Sequence, residues 1–235
     1  MRLYFIRHGQ SENNLLYDLT GKDEGRNSDP MLTETGKRQA QSLADFLCNA
    51  SDPADRTVAR GFGITHFYSS LMLRAVATAE AIASQAEVPI YGLVDWHETG
   101  GVYLKDARTG DLHGQPGKTR RELELFCPRL HVPEQVNDHG WYSRPFELDD
   151  QRPVRARRAL RELLDKHGKS DDRVAVVSHA GFFMQFLAAV IGLEHIRPVW
   201  FVLNNTGVSR FDFDERDNRL VYHNLLAHLP NHLVT

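Results

Sequence analysis

Short apolar segments alternate with helical patterns along most of the chain, and this alternation restricts the fold more than any other feature. The apolar segments cover residues 3–6, 64–68, 88–94 and 173–177. Short apolar runs bounded by glycine or polar residues indicate buried strands. Strands that alternate with helices favour a mostly parallel sheet with helices packed on both of its faces.

Segments with helical periodicity lie between these strands. Apolar residues recur at helical spacing in four segments: 33–47, from Ser69 or Ser70 to about 83, 152–167 and 181–191. A serine before a helix favours an N-cap, because its hydroxyl accepts a hydrogen bond from a first-turn N–H. Residues 206–213 and 220–222 predict a closing hairpin. The fold class that follows is α/β, a three-layer sandwich around a central sheet.

The length of the chain and one interruption of the pattern predict a single domain with an insertion. A chain of 235 residues is long enough for one α/β domain, so a second domain needs positive evidence. Residues 102–150 are rich in loop-forming residues, with one short helical piece at 120–126. A loop-rich segment of this length is typical of a functional lid or a binding insertion. We therefore expect one domain over residues 1–235, with a lid at about 102–150.

Charge and composition narrow the partners of the protein. The net charge of −3 gives no electrostatic reason to expect nucleic acid or an anionic membrane as a partner. Cys48 and Cys127 form no CxxC motif, which favours a reducing compartment. No apolar run reaches the ~18 residues of a membrane span, and no secretion signal precedes the first strand. We predict a cytoplasmic protein; the oligomeric state stays open.

Reactive side chains follow the ends of the predicted strands. They are Arg7 and His8 after the first strand, Arg74 after the second, Glu98 after the third and His179 after the fourth. Ligands of open α/β sheets bind beyond the carboxyl ends of the strands, so these residues are expected at one rim. Arginine forks onto phosphate oxygens, and two helix N-termini are expected to add unpaired N–H groups. The sequence therefore predicts a site for a phosphate dianion.

The same residue types fit the hydrolysis of a phosphate ester. A neutral histidine is a nucleophile at pH 7, and a carboxylic acid can protonate the leaving alkoxide. Phosphate monoesters require accelerations of up to ~10²¹. One preorganised donor supplies only roughly 3–4 kcal/mol. A cluster of cationic and donor groups around the phosphoryl oxygens is therefore the expected design.

Four sequence blocks carry a resemblance to a known family. They read RHGQSENN at 7–14, DPMLTETG at 29–36, YSSLMLRA at 68–75 and VSHAG at 177–181. In this order they resemble the motifs of the histidine phosphatase superfamily, also called the phosphoglycerate-mutase-like family. The matches cover most of the chain outside 102–150.

The resemblance implies a role for each matching residue. His8 corresponds to the nucleophile that becomes phosphohistidine, and Glu98 corresponds to the acid. The phosphate pocket corresponds to Arg7, Asn14, Arg74 and His179, of which His179 also steadies the charge on the phosphoryl group. The implied chemistry uses no cofactor and no metal ion, and the partner is a small phosphorylated substrate.

Two of these assignments have alternatives in the sequence. Glu98 is followed by Thr-Gly-Gly-Val-Tyr, whereas the family commonly has glycine, an aromatic residue and Glu-Gly. Asp95 is then the nearest substitute for the acid, and Glu98 could be a plain surface residue. Asn14 could cap a helix instead of binding phosphate.

Three functions are compatible with these motifs. The segment after Glu98 lacks the Tyr-Gly and Gln-Gly elements of phosphoglycerate mutases, and residues 119–121 read as the basic start of a surface helix. We therefore favour a phosphatase over a mutase. The third alternative is a family member that binds a phosphorylated ligand without turnover, against which the intact His8 argues.

Overall fold

The structure is a computed structural model that describes residues 1–55, 57–58, 60–195 and 198–235. Within these residues the strands are β1 (Arg2–Arg7), β2 (His66–Ser70), β3 (Ile90–Leu93), β4 (Tyr103–Lys105), β5 (Leu112–Gly114), β6 (Leu130–His131), β7 (Arg173–Ser178), β8 (Val208–Phe213) and β9 (Asn218–Leu225). The α-helices are α1 (Glu12–Thr20), α2 (Glu34–Asn49), α3 (Leu73–Ala86), α4 (Arg120–Phe126), α5 (Gln151–His167) and α6 (Ala180–Val190). No helix among the described residues combines the length and the apolar character that crossing a bilayer requires.

The central sheet has seven strands in the order β6-β3-β2-β7-β1-β8-β9. The pairs from β6 to β1 are parallel, and β8 and β9 are added antiparallel. The register places Arg7 beside Ser178 in the β1–β7 pair and Ser69 beside Val177 in the β2–β7 pair. The prediction of a mostly parallel sheet is confirmed, and the carboxyl ends of β1, β2 and β7 lie next to one another.

Helices cover both faces of this sheet, which confirms the three-layer α/β architecture. Tyr4 and Ile6 of β1 face a core that α2 and α3 complete. Leu3 and Phe5, the alternate residues of the same strand, face a second core that α5 and α6 complete. This division follows from the period of two in a strand, which sends successive side chains to opposite faces.

The start of α3 differs from the prediction. Ser69 and Ser70 are the last residues of β2, and the N-cap position belongs to Met72, whose side chain accepts no capping hydrogen bond. The first helical N–H, that of Leu73, instead donates to Oδ1 of Asp29 at 3.0 Å. A carboxylate that is distant in sequence therefore replaces the local serine cap, and the serine hydroxyls serve other contacts.

Residues 102–150 are anchored to the body of the protein. Their short strand β6 pairs with β3 and forms one edge of the central sheet. The side chains of Leu123, Cys127 and Trp141 belong to the same core as α2 and α3. The helical piece predicted at 120–126 is present as α4, while the strands β4, β5 and β6 of this segment were not predicted. That the whole chain forms one domain stays a prediction.

Candidate active site

A cavity of about 340 Å³ lies beyond the carboxyl end of β1, on the side of the sheet where its neighbours β2 and β7 also end. The sequence-predicted residues that line it are Arg7, His8, Asn14, Arg74 and Glu98. The His179 ring lies directly behind, with its centroid 5.1 Å from that of the His8 ring. The structure thus brings the two arginines, the two histidines and the carboxylate to one rim.

His8 is fixed at the floor of the cavity with a defined tautomer. Its ring Nδ1 lies 2.6 Å from the carbonyl oxygen of Gly9, and because a carbonyl only accepts, Nδ1 carries the ring proton. The lone pair is therefore on Nε2, which accepts a hydrogen bond from Nε of Arg74 at 3.1 Å. The His8 carbonyl also accepts a hydrogen bond from the Asn205 amide at 2.9 Å. These contacts place the Nε2 lone pair at the cavity floor, where Arg74 must release it before it can attack a substrate.

The surroundings of His8 keep its ring uncharged. Burial lowers the pKa of His8 well below its ordinary value, and the positive charges of Arg74 and Arg7 lower it further. Burial also lowers the pKa of Arg7, to about 10, which leaves this guanidinium charged at neutral pH. Two cations therefore flank a neutral imidazole, the combination that suits nucleophilic attack on a phosphate dianion.

His179 owes its orientation to Ser70, a residue whose part in the site was missed in the sequence. Nε2 of His179 lies 2.9 Å from the Ser70 hydroxyl, and both side chains are fully buried. The same hydroxyl accepts the Met72 N–H at 3.3 Å, so its own hydrogen is free to point to Nε2. With the hydroxyl as the donor, Nδ1 carries the His179 proton, and among the described residues this atom has no partner. The arrangement offers a neutral N–H donor to a bound anion.

Glu98 lies in the cavity and also caps helix α6 from outside the helix. Its carboxylate oxygens accept the N–H groups of Gly181 at 3.1 Å and Phe182 at 2.9 Å. A Cβ atom at Gly181 would collide with this carboxylate, which explains the glycine. The expectation that two helix N-termini offer unpaired N–H groups was therefore wrong for these amides and for Leu73, which already have carboxylate partners.

Asp95, the substitute considered for the acid, has a different environment. Its carboxylate accepts a hydrogen bond from Nε of Arg158 at 2.5 Å, on the outer side of α5. The Arg158 side chain is about half exposed. Glu98 is therefore the better candidate for an acid at the cavity, and it is not a plain surface residue.

Asn14 caps a helix and also lines the cavity. Its Oδ1 accepts the backbone N–H of Ser11 at 3.1 Å and completes a capping box at the start of α1. Asn205 also donates to this oxygen, at 3.3 Å. The oxygen is therefore occupied by the cap, while the amide NH₂ group remains able to donate to a ligand in the cavity.

Arg26 and Tyr103 meet at the mouth of the cavity and were not identified in the sequence. Arg26 donates to the Tyr103 hydroxyl at 2.5 Å, and its guanidinium carbon lies 4.3 Å from the centroid of that ring. Arg26 belongs to the segment between α1 and α2, and Tyr103 begins the 102–150 insertion. Their pairing depends on α1, a helix that has no clear apolar periodicity and was not predicted.

The family of the chain follows from its match to a family model. Residues 3–226 match the histidine phosphatase superfamily (branch 1), so the chain belongs to that superfamily. A probable phosphoglycerate mutase, GpmB, from Proteus mirabilis is 26% identical over 213 residues, covering 91% of this chain and 85% of that protein. A probable phosphatase of Schizosaccharomyces pombe is 28% identical over 227 residues, covering 95% of this chain and 69% of that protein.

Solved structures share the fold of the chain at low sequence identity. A mutant phosphoserine phosphatase from Entamoeba histolytica in complex with phosphoserine has a TM-score of 0.62 and 20% identity, covering 97% of this chain and 99% of its own. The α-ribazole phosphatase from Shigella flexneri has a TM-score of 0.60 and 19% identity, covering 96% of each chain. These similarities show the fold.

The Ser70–His179 contact generates a first testable prediction. In Ser70→Ala, Nε2 of His179 loses its donor, so the ring is expected to populate both neutral tautomers instead of the Nδ1–H form alone. ¹⁵N NMR of the imidazole nitrogens measures this population directly. Binding of inorganic phosphate or vanadate is expected to weaken about tenfold, the equivalent of one hydrogen bond worth about 1.4 kcal/mol.

Ser69 provides a matched control for this experiment. It is equally buried on the same strand, but its hydroxyl donates to the Ser70 carbonyl and not to histidine. Ser69→Ala is expected to leave the His179 tautomer and phosphate affinity unchanged. A single Nδ1–H tautomer in Ser70→Ala, with normal phosphate affinity, would show that Ser70 does not orient this ring.

Proposed function

We propose that the protein hydrolyses phosphate monoesters through a phosphohistidine intermediate on His8. The observation that carries this proposal is the state of the His8 ring. Its proton is held on Nδ1 by the Gly9 carbonyl, and its Nε2 lone pair lies at the cavity floor beside Arg74. Membership of the histidine phosphatase superfamily supports the same chemistry.

The first half of the reaction transfers the phosphoryl group to the enzyme. The dianion binds between Arg7, Arg74 and His179, with Asn14 as a further donor. Nε2 of His8 attacks the phosphorus atom, the bond from phosphorus to the ester oxygen breaks, and Glu98 in its protonated form gives its proton to the departing oxygen. The ring becomes cationic as the new N–P bond forms, and the Gly9 carbonyl that accepts its Nδ1–H stabilises that charge.

The second half returns the enzyme to its starting state. Glu98, now a carboxylate, takes a proton from a water molecule as the water oxygen attacks the phosphohistidine. The N–P bond breaks, His8 regains its lone pair, and inorganic phosphate leaves. Phosphoryl transfer depends mainly on positioning and charge, so the guanidinium groups and the His179 donor carry most of the stabilisation.

The substrate class we propose is a small phosphorylated metabolite of the cytoplasm. The cavity of about 340 Å³ is at the small end of the range for ligand pockets, which suits a compact leaving group. Structural neighbours include a phosphoserine phosphatase, an α-ribazole phosphatase and a glucosyl-3-phosphoglycerate phosphatase. These names indicate the variety of leaving groups that the fold accommodates.

Mutase activity is the second candidate, because a relative at 26% identity is described as a probable phosphoglycerate mutase. A mutase must hold a second phosphate group, which requires further free cations at the cavity. Arg120, the first of the paired arginines in the insertion, instead donates to the carbonyls of Val132, Pro133 and Val136. This arginine therefore serves the folding of the insertion, and hydrolysis stays the favoured function.

The decisive test replaces the proposed nucleophile. His8→Ala is expected to lower kcat for p-nitrophenyl phosphate at mildly acid pH by at least about 10³-fold, because the residual site retains only its phosphate-binding groups. Wild type quenched during turnover should carry an acid-labile phosphoryl group that His8→Ala lacks. The exposed His113→Gln serves as the control with unchanged turnover. Equal rates for wild type and His8→Ala would exclude His8 as the nucleophile, and no hydrolysis by either protein would favour phospho-ligand binding without turnover.

The role of Glu98 is tested by changing the leaving group. In Glu98→Gln, hydrolysis of an alkyl phosphate is expected to fall by about 10²–10⁴-fold, the range for losing a general acid. Hydrolysis of p-nitrophenyl phosphate should fall much less, because nitrophenolate leaves without protonation. Asp95→Asn is the matched carboxylate control. An equal loss on both substrates in Glu98→Gln would assign Glu98 to capping α6 and not to proton transfer.

A separate assay distinguishes hydrolysis from mutase activity. With 3-phosphoglycerate and 2,3-bisphosphoglycerate, we expect release of inorganic phosphate and negligible 2-phosphoglycerate, because the paired Arg120 and Arg121 do not line the cavity. Coupled detection of 2-phosphoglycerate by enolase gives the readout. Isomerisation faster than phosphate release would make the mutase the correct assignment.

A further inference from the structure

A cluster of two histidines and one aspartate lies at the opposite end of the sheet from the catalytic cavity. His66 opens β2, Asp172 immediately precedes β7, and His167 ends α5. Because β2 and β7 are neighbouring parallel strands, their amino ends lie side by side. At about 3.3 Å per residue, the length of β2 separates His66 from Ser70 by about 13 Å. The cluster is therefore distinct from the phosphate site.

The three side chains present their ligating atoms to one another at short range. Each residue offers one ring nitrogen or carboxylate oxygen, and these atoms all lie within 4.8 Å of one another. Nδ1 of His167 lies 2.8 Å from Oδ2 of Asp172, and Nδ1 of His66 lies 3.7 Å from Oδ1 of the same carboxylate. Nitrogen and oxygen ligands about 2.0–2.2 Å from one ion lie about 3–4 Å apart, so only small side-chain adjustments are needed.

A second-layer contact is already present for the buried histidine. Nε2 of His167 lies 2.9 Å from the Tyr68 hydroxyl. With a metal ion on Nδ1, the ring proton is on Nε2, where the tyrosine oxygen can accept it. Histidine ligands almost always make such a hydrogen bond through the other ring nitrogen, which orients the ring toward the metal.

The position of the cluster also suits a cation. The His167 side chain is 2% exposed, whereas His66 and Asp172 are 37% and 27% exposed. One ligand is thus rigid and two remain open to solvent, which provides an entry path and room for water ligands. His167 is the last residue of α5, where the helix dipole is negative.

We propose that His66, His167 and Asp172 form a binding site for a divalent transition-metal ion of the zinc class. Two imidazoles and one carboxylate favour Zn²⁺, Co²⁺ or Ni²⁺ over Mg²⁺ and Ca²⁺, which prefer all-oxygen sites. Water completes the coordination. The ion joins the end of α5 to the starts of β2 and β7, so its role is to stabilise the fold and not to take part in phosphate chemistry.

The test uses the full-length protein freed of metal by chelation. Titration with Co²⁺ is expected to produce visible d–d absorption that saturates at one equivalent per chain, and Zn²⁺ should displace it. His66→Gln and Asp172→Asn are expected to abolish the saturable absorption. Tyr68→Phe should retain it with an affinity about 10–100-fold lower, the usual effect of losing an outer-layer partner. Thermal unfolding should shift upward with Zn²⁺ in wild type, and this shift should be absent in His66→Gln and Asp172→Asn.

Matched controls separate this site from adventitious binding and from misfolding. Asp171→Asn removes the neighbouring exposed carboxylate, and His113→Gln removes an exposed histidine elsewhere; both should titrate like wild type. Each variant should retain the circular dichroism of the metal-free wild type, and His66→Gln, at a half-buried position, is the ligand substitution least able to disturb the fold. Absence of saturable absorption in wild type, or equal absorption in His66→Gln, would overturn the proposal.

Discussion

The hydrogen bond from Arg74 to the Nε2 atom of His8 is the interaction on which the rest of the site depends. A guanidinium can donate to this nitrogen only while the ring is uncharged and its proton is on the other nitrogen. The Gly9 carbonyl meets the second requirement by accepting the Nδ1–H. The ring stays uncharged because burial and the two adjacent guanidinium groups all lower the pKa of His8. The same cations that hold the imidazole neutral are available for the oxygens of a phosphate dianion.

Burying two guanidinium groups beside each other requires negative charge nearby, and two carboxylates supply it from helix ends. Asp29 accepts the first N–H of α3 and lies 3.8 Å from the Arg74 guanidinium. Burial raises the pKa of Asp29 to about 6, and Arg74 opposes this rise. Glu98 caps α6 in the same way, because its carboxylate accepts first-turn N–H groups of that helix. Because these amides of both helices are already paired, a bound anion depends on the side chains of the rim.

The sequence predicted what depends on local patterns and on strand ends. Alternating apolar segments located the parallel strands β1, β2, β3 and β7 but not the short edge strand β6. The residues that follow these strands, such as His8 and His179, lie together because parallel strands end on one side. It could not predict partners that are distant in the chain. Ser70 had the pattern of a helix cap, since a serine before a helix is the same local signal whether its hydroxyl meets the helix or a histidine 109 residues away. Asp29 gave no indication that it would cap α3 in its place.

The packing of residues 102–150 limits how far this insertion can move. Moving residues 102–150 as a unit would expose Leu123 and Trp141, and fully exposing one large apolar side chain costs roughly 1.5–3 kcal/mol. The β6–β3 pairing would be lost as well. By contrast, the contact between Arg26 and Tyr103 joins two segments at the mouth through one hydrogen bond and one cation–π contact. Because contacts of these kinds are each worth only roughly 1–2 kcal/mol, the two segments at the mouth are held together less strongly than the rest of the insertion is held to the body of the protein.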